Sequence, residues 1–259
     1  MGPSHGKFIW YELATTDPGA ARRFYGDVVG WGTEEYGGAG MAYVRWTAAG
    51  QAIGGLVPLP DDARKRGAPP HWVAYVMVDD VDATVSLARS LGGSSRVPAM
   101  DIPTVGRIAV IADPEGAVIA LIRPMGPDAA WRDDVPDLHV SWHELMTNDQ
   151  DEAIGLYGKL FGWEKTEAVE SPMGVYQMYG RHGHTLGGIG ARPKDYPVPP
   201  HWLYYVKVPD LDAALARVTA GGGQVLHGPM TVPGGSRVAQ CRDPQGAGFA
   251  LHGVGPVPA

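Results

Sequence analysis

The 259-residue sequence contains one cysteine, Cys241, so no internal disulfide can form and a reducing compartment is expected. No apolar run approaches the ~18 residues that a membrane-spanning helix needs. The opening MGPSHGKFIW lacks the apolar core of a secretory signal. There is no basic block either: Lys+Arg number 21 against Asp+Glu 28, a net charge of -7. A nucleic acid or an anionic membrane has nothing to grip, and neither is expected as a partner. These shortages point to a cytoplasmic protein. What is present, 44% hydrophobic and 19% charged residues, suits a globular chain, and the length suggests two domains.

The chain repeats itself. Pro69–Ala83 reads PPHWVAYVMVDDVDA and Pro199–Ala213 reads PPHWLYYVKVPDLDA. Trp10-Tyr11-Glu12-Leu13 returns as Trp142-His143-Glu144-Leu145, and Val29-Gly30-Trp31 as Phe161-Gly162-Trp163, both shifted by 132. Farther along the shift is 130: Arg107 matches Arg237, and Asp113-Pro114 matches Asp243-Pro244. The shift changes between elements, where loops tolerate insertions. The sequence therefore divides into domains at residues 5–124 and 137–254, joined by a proline-rich, acidic linker at 125–136.

Within each half the periodicity changes in a fixed order. FIWYELAT alternates like a strand, and DPGAARRFYGDVVG follows as a helix with Asp17 as its cap, Pro18 at its first position and Gly30 at its stop. GTEEYG, MAYVRWT and QAIGGLVPL read as short strands. A second round follows: HWVAYVMV as strand, DVDATVSLARSL as helix, then SSRVP, GRIAVIAD and AVIALI as strands. Each half holds two βαβββ units, and the chain holds four.

Two βαβββ units per half, the VDDVDA strand-to-helix step and the Asp-Pro-x-Gly turns (Asp113 to Gly116, Asp243 to Gly246) before the last strands resemble the vicinal oxygen chelate superfamily. That group includes glyoxalase I, bleomycin-resistance proteins, fosfomycin-resistance enzymes and extradiol dioxygenases. The resemblance covers nearly all of both halves. It implies an α+β fold with two curled, mostly antiparallel eight-stranded sheets, each around a cleft. It also implies an internal pseudo-dimer, so a monomer in solution is expected.

The family's chemistry usually rests on a divalent metal. Its ligand positions fall on Trp10, Val73 and Ala120 in the first half and on Trp142, Leu203 and Ala250 in the second. Indole, isopropyl, isobutyl and methyl groups offer a metal no lone pair. The expectation is therefore no metal and no other cofactor. Because side chains alternate along a strand, Glu12 shares a face with Trp10, and His71, Tyr75 and Met77 share one with Val73. The second half gives Glu144, His201, Tyr205 and Lys207 by the same parity. The resulting expectation is an aromatic cleft that takes a small, flat organic molecule, with Glu12, His71, Glu144 and His201 as candidate catalytic groups. Arg107 and Arg237 are candidates to clamp a carboxylate or phosphate, or else to form salt bridges.

Other features read as structural. The Gly-Gly pairs at 54–55, 92–93, 187–188 and 222–223 lack a phosphate-loop fingerprint, His182 and His184 fit a solvated hairpin, and Cys241 is replaced by Ile111 in the first half. Three function classes stay open: a metal-independent binding protein of bleomycin-resistance type, a metal-independent lyase, isomerase or hydrolytic enzyme using Glu12 or Glu144 as base with His71 or His201 as partner, and an interaction module with vestigial clefts.

Overall fold

The computed structural model describes residues 1–37, 43–127, 131, 134–171, 174–193 and 198–253. The first half runs β1 (Phe8–Thr15), α1 (Pro18–Val29), β2 (Gly32–Tyr36), β3 (Tyr43–Ala48), β4 (Gln51–Pro58), α2 (Asp61–Lys65), β5 (His71–Met77), α3 (Val81–Ser90), β6 (Ser94–Ile102), β7 (Gly106–Ala112) and β8 (Val118–Pro124). The second runs β9 (Val140–Thr147), α4 (Gln150–Phe161), β10 (Glu164–Ser171), β11 (Gly174–Arg181), β12 (His184–Ala191), β13 (His201–Lys207), α5 (Leu211–Ala220), β14 (Gln224–Thr231), β15 (Arg237–Arg242) and β16 (Gly248–Gly253). Apart from the short α2, which the sequence pattern did not announce, this is the βαβββ order four times over. The sixth strand runs to Ile102, beyond the expected SSRVP. Met41, the expected start of the third strand, and part of the 125–136 linker lie outside the described residues.

Each half forms one mixed sheet of eight strands, ordered β2-β3-β4-β1-β5-β8-β7-β6 and β10-β11-β12-β9-β13-β16-β15-β14. Hairpin neighbours are antiparallel, whereas β1 with β4 and β5 with β8 are parallel, as are β9 with β12 and β13 with β16. Four helices begin with an aspartate whose carboxylate accepts from a first-turn amide: Asp17, Asp80, Asp149 and Asp210, at 2.9 Å in each case. Such a cap contributes roughly 1 kcal/mol. Gly30 and Gly162 close α1 and α4 with φ of 92° and 70°, a left-handed conformation that a glycine adopts without strain.

The sheets follow the sequence repeat, but compact packing does not. One compact unit comprises residues 1–10, 73–133 and 142–202, and the other comprises 11–72, 134–141 and 203–259. Each unit thus takes one βαβββ stretch from either half. In the second unit α1 packs on α5, and Leu13, Phe24, Tyr25, Trp31, Trp46, Val206, Phe249 and Leu251 form one buried core. In the first unit α3 packs on α4.

A repeated hydrogen-bond chain runs through the tryptophan of the doubled Pro-Pro-His-Trp phrase. In the second unit Trp72 Nε1 donates to Tyr25 Oη (2.9 Å), and Tyr25 Oη donates to Asp243 Oδ2 (3.1 Å). Asp243 Oδ1 accepts from the amides of Gln245 and Ala247, holding the Asp-Pro-x-Gly turn. In the first unit Trp202, Tyr157 and Asp113 repeat the chain at 3.3 and 2.9 Å. Burial raises the carboxyls of Asp113 and Asp243 above their ordinary value, although these donors oppose the shift.

Candidate functional site

In the first unit the three positions to which the family resemblance assigns metal ligands, Trp10, Val73 and Ala120, come together. Val73, Tyr75, Ile108, Ala120 and Ile122 form a buried cluster, and Ile9, Trp10, Ile102, Val105 and Val110 pack against it. The parallel register sets Tyr75 of β5 opposite Ala120 of β8. Met77 is buried as well. In the second unit Leu203, Tyr205 and Ala250 are buried, with Tyr205 opposite Ala250. These side chains do not fit a divalent cation: no oxygen, imidazole or thiolate stands at the ligand positions. Among the described residues no group of three or more His, Cys, Asp or Glu is placed to hold one.

The two glutamates each meet a tyrosine. Tyr43 Oη on β3 donates to Glu12 Oε2 at 2.8 Å. In the second half the Tyr176 hydroxyl on β11 bonds the Glu144 carboxylate and accepts from Trp142 Nε1 at 2.9 Å. The register explains the arrangement. Glu12 pairs with Gly55 across β1 and β4, and Glu144 with Gly188 across β9 and β12. A Cβ at Gly55 would overlap the Tyr43 hydroxyl, and one at Gly188 would overlap the Tyr176 ring. The second glycine of each Gly-Gly pair therefore makes room for a tyrosine from the neighbouring strand to lie across the sheet and reach the carboxylate. Glu144 is 8% exposed, and burial together with its negative charge holds the Tyr176 phenol well above its usual value. The result is an indole–phenol–carboxylate relay.

Neither tyrosine figures among the sequence candidates. The signal was the constant shift: Tyr43 to Tyr176 and Gly55 to Gly188 are both 133 apart.

The remaining candidates are placed as follows. His71 Nδ1 lies 2.7 Å from Pro69 O and His201 Nδ1 lies 2.8 Å from Pro199 O, so each ring is anchored to the proline carbonyl two residues back. Burial lowers the His201 value. Arg107 forks onto Asp82 at 2.5 and 2.9 Å and reaches Asp101 at 3.0 Å, while Arg237 forks onto Asp212 at 2.7 and 3.0 Å. Both guanidiniums are thus engaged by carboxylates, in the salt-bridge arrangement. Lys207 Nζ donates to Val135 O at 3.1 Å and lies 3.5 Å from Asp137. The His184 ring stacks on Trp131, and the Cys241 thiol is buried and pushed up to about 12.

His143 stands where the first half has Tyr11. Its ring stacks on Phe8 at 3.7 Å, and its Nδ1 lies 2.7 Å from Leu186 O, which places the proton on that nitrogen. Burial lowers its value to about 4. The unfolded chain takes up this proton below about pH 6.5, whereas the folded chain resists until about pH 4. The stability it contributes is therefore complete above pH 6.5 and is lost as pH falls toward 4. Urea unfolding should weaken by about 2–3 kcal/mol more between pH 7 and 4.5 in the wild type than in His143→Phe, because each tenfold loss of proton affinity on folding is worth about 1.4 kcal/mol. Parallel pH profiles would show that His143 is not buried neutral.

The family model for the Glyoxalase/Bleomycin resistance protein/Dioxygenase superfamily matches residues 7–121 and again 138–251. The chain is 35% identical over 244 residues to a Mycobacterium tuberculosis protein named "Putative glyoxylase CFP32", covering 93% of this chain and 92% of that one. It is 30% identical over 264 residues to the anthracycline biosynthesis protein DnrV of Streptomyces peucetius, covering 95% and 92%. Among solved structures, a Mn(II)-bound glyoxalase from Novosphingobium aromaticivorans superposes with a TM-score of 0.65 at 14% identity, over 99% of this chain and 88% of that one. The 2,3-dioxygenase LapB from Pseudomonas sp. KL28 gives 0.64 at 14% identity, over 99% and 94%. These two likenesses concern the fold alone.

Proposed function

The chain belongs to the Glyoxalase/Bleomycin resistance protein/Dioxygenase superfamily, and on that premise we propose that it binds a small, flat, unsaturated organic molecule without a resident divalent metal. The observation that carries this reading is the replacement of the metal set by an indole on the first strand of each half, with a tyrosine-bonded glutamate two residues on. An aromatic face with one fixed carboxylate recognises a planar ligand by stacking and by a single oriented hydrogen bond. The relatives named for anthracycline biosynthesis agree with that ligand class, since anthracyclines are planar polycyclic quinones.

A titration of the full chain with 1,4-dihydroxyanthraquinone should quench tryptophan emission saturably. Trp142→Phe should weaken binding about tenfold, the scale of ~1.4 kcal/mol for a lost aromatic contact and hydrogen bond. Elemental analysis of the same sample should find no stoichiometric Zn, Fe, Ni or Mn, and chelator should leave the titration unchanged. One metal per half, with binding lost on its removal, would overturn the metal-free reading.

The burial of Glu144 favours a second reading. Glu144, fixed by the Tyr176 hydroxyl, would take a proton from a carbon beside a carbonyl and return it to a neighbouring carbon, an isomerisation. Glu144→Gln separates the two. Under catalysis turnover disappears while binding persists; under sequestration only affinity changes.

A further inference from the structure

The two halves share a backbone but not a chemistry. Where the first half places Ile9, Met77, Val110 and Ile122, the second places Ser141, Lys207, Gln240 and His252 at shifts of 132, 130, 130 and 130. In the first half Ile9, Val110 and Ile122 belong to the apolar cluster and Met77 is buried. In the second, all four polar side chains lie within one compact unit and make a connected set. Ser141 Oγ lies 2.8 Å from His252 Nδ1 and 3.4 Å from Tyr205 O. Lys207 and His252 are register partners on the parallel strands β13 and β16. Gln240 Nε2 donates to Tyr205 Oη at 3.1 Å.

Polar groups in a half-buried face cost desolvation, and the first half shows that this backbone accepts aliphatic side chains at the same places. Fold maintenance therefore does not require them. The donors are also unsaturated. The Lys207 ammonium has three N–H bonds, of which Val135 O takes one and Asp137 faces another. Burial and the Lys207 charge keep the His252 imidazole below its usual range, hence neutral near pH 7. Its Nδ1 is engaged by Ser141, and among the described residues no hydrogen bond is made at Nε2. Nε2 carries the proton and is a donor in the tautomer in which the serine hydroxyl turns from Tyr205 O to donate to Nδ1, and an anion facing Nε2 selects that tautomer. The Lys207 side chain is 28% exposed, so a ligand can reach it.

We propose that Lys207, His252 and Ser141 form an anion subsite that holds a carboxylate of an aromatic ligand, and that this subsite exists only in the second half. Lys207 Nζ supplies one charged hydrogen bond and His252 Nε2 supplies the other, one to each carboxylate oxygen. Ser141 acts as a positioning residue, fixing the ring and its tautomer. The proposal rests on the reading above that the chain binds flat organic molecules, and it adds the charge of the ligand and the half that takes it.

The probes are 2-naphthoate and its neutral isostere 2-naphthamide, titrated calorimetrically into the full chain. Naphthoate should bind with one site per chain and at least about tenfold more tightly than the amide, since a hydrogen bond to a charged group is worth more than a neutral one. The variant Lys207→Met/His252→Ile restores the first-half side chains, so the fold should tolerate it. It should lose about tenfold or more for naphthoate while binding the amide as before. Lys207→Gln, which removes the charge with little change of volume, should reproduce most of the loss and serves if the double variant does not fold. Equal affinity for both probes, or an equal loss of both in the variants, would overturn the anion subsite alone. No binding of either probe by the wild type would instead sink the parent reading for planar aromatic ligands, and the subsite with it.

Discussion

Alanine at Gly187 should destabilise the protein by about 4 kcal/mol, at the severe end for one added methyl group. Gly187 of β12 pairs in parallel with His143 of β9, and a Cβ there would run into the His143 carbonyl oxygen. The obstacle is backbone, which cannot rotate away as a side chain can. Gly54, paired with Tyr11, faces the same obstacle in the first half. Gly54→Ala should therefore match it, giving an internal replicate. Gly155, inside α4 with no neighbour close to its would-be Cβ, is the control. There alanine should be neutral or stabilising by up to about 1 kcal/mol. Urea midpoints for the three variants measure this directly. A wild-type midpoint for Gly187→Ala would mean that β9 and β12 do not approach as described.

Asp243→Ala should cost about 3 kcal/mol, and Asp113→Ala a similar amount. Each removal leaves two turn amides and a buried tyrosine hydroxyl without their acceptor, and a buried donor left unpaired costs ~1–3 kcal/mol. Tyr25→Phe should lose less, because Asp243 keeps its two amide donors and only the hydroxyl's bonds to Trp72 and Asp243 are broken. In near-ultraviolet circular dichroism, both aspartate variants should show a weakened tryptophan signal at temperatures where they remain folded. If the aspartate and tyrosine variants lose the same stability, the turn amides contribute nothing and the chain's worth lies in the hydroxyl alone.

Much of the architecture was legible because its signals are local. Asp17 and Asp149 cap helices through amides three residues away, and the family resemblance grouped Trp10, Val73 and Ala120, which the fold brings into one cluster. The partners of Glu12 and Glu144 were not legible. Tyr43 reaches Glu12 only because β3 pairs with β4 and β4 with β1 at a register that sets Gly55 opposite Glu12. No local pattern carries that information, although comparing the two repeats would have singled out both tyrosines. The interleaved packing was hidden for a related reason. Periodicity says which face of a helix is buried, and it says nothing about which half of the chain buries it. So α1 reads as an amphipathic helix in the sequence, while its Tyr25 answers to Asp243 some 218 positions away. Arg107 and Arg237 offered a guanidinium for an anion, but Asp82 and Asp212, in the first turns of α3 and α5, take it.

The Trp–Tyr–Asp chains have an evolutionary corollary. Each draws its aspartate from the opposite repeat to its tryptophan and tyrosine, so a half-length ancestor could complete the motif only with a second copy of itself. In such a homodimer any substitution appears twice, and an ammonium placed on one face is placed on both. Joining the copies in one reading frame lifted that constraint. From then on each repeat could mutate by itself while still lending its aspartate to the other, so Tyr11 and His143, or Met77 and Lys207, could part ways within a single polypeptide. Fusion thus leaves the two halves tied through these aspartates and independent as heritable units.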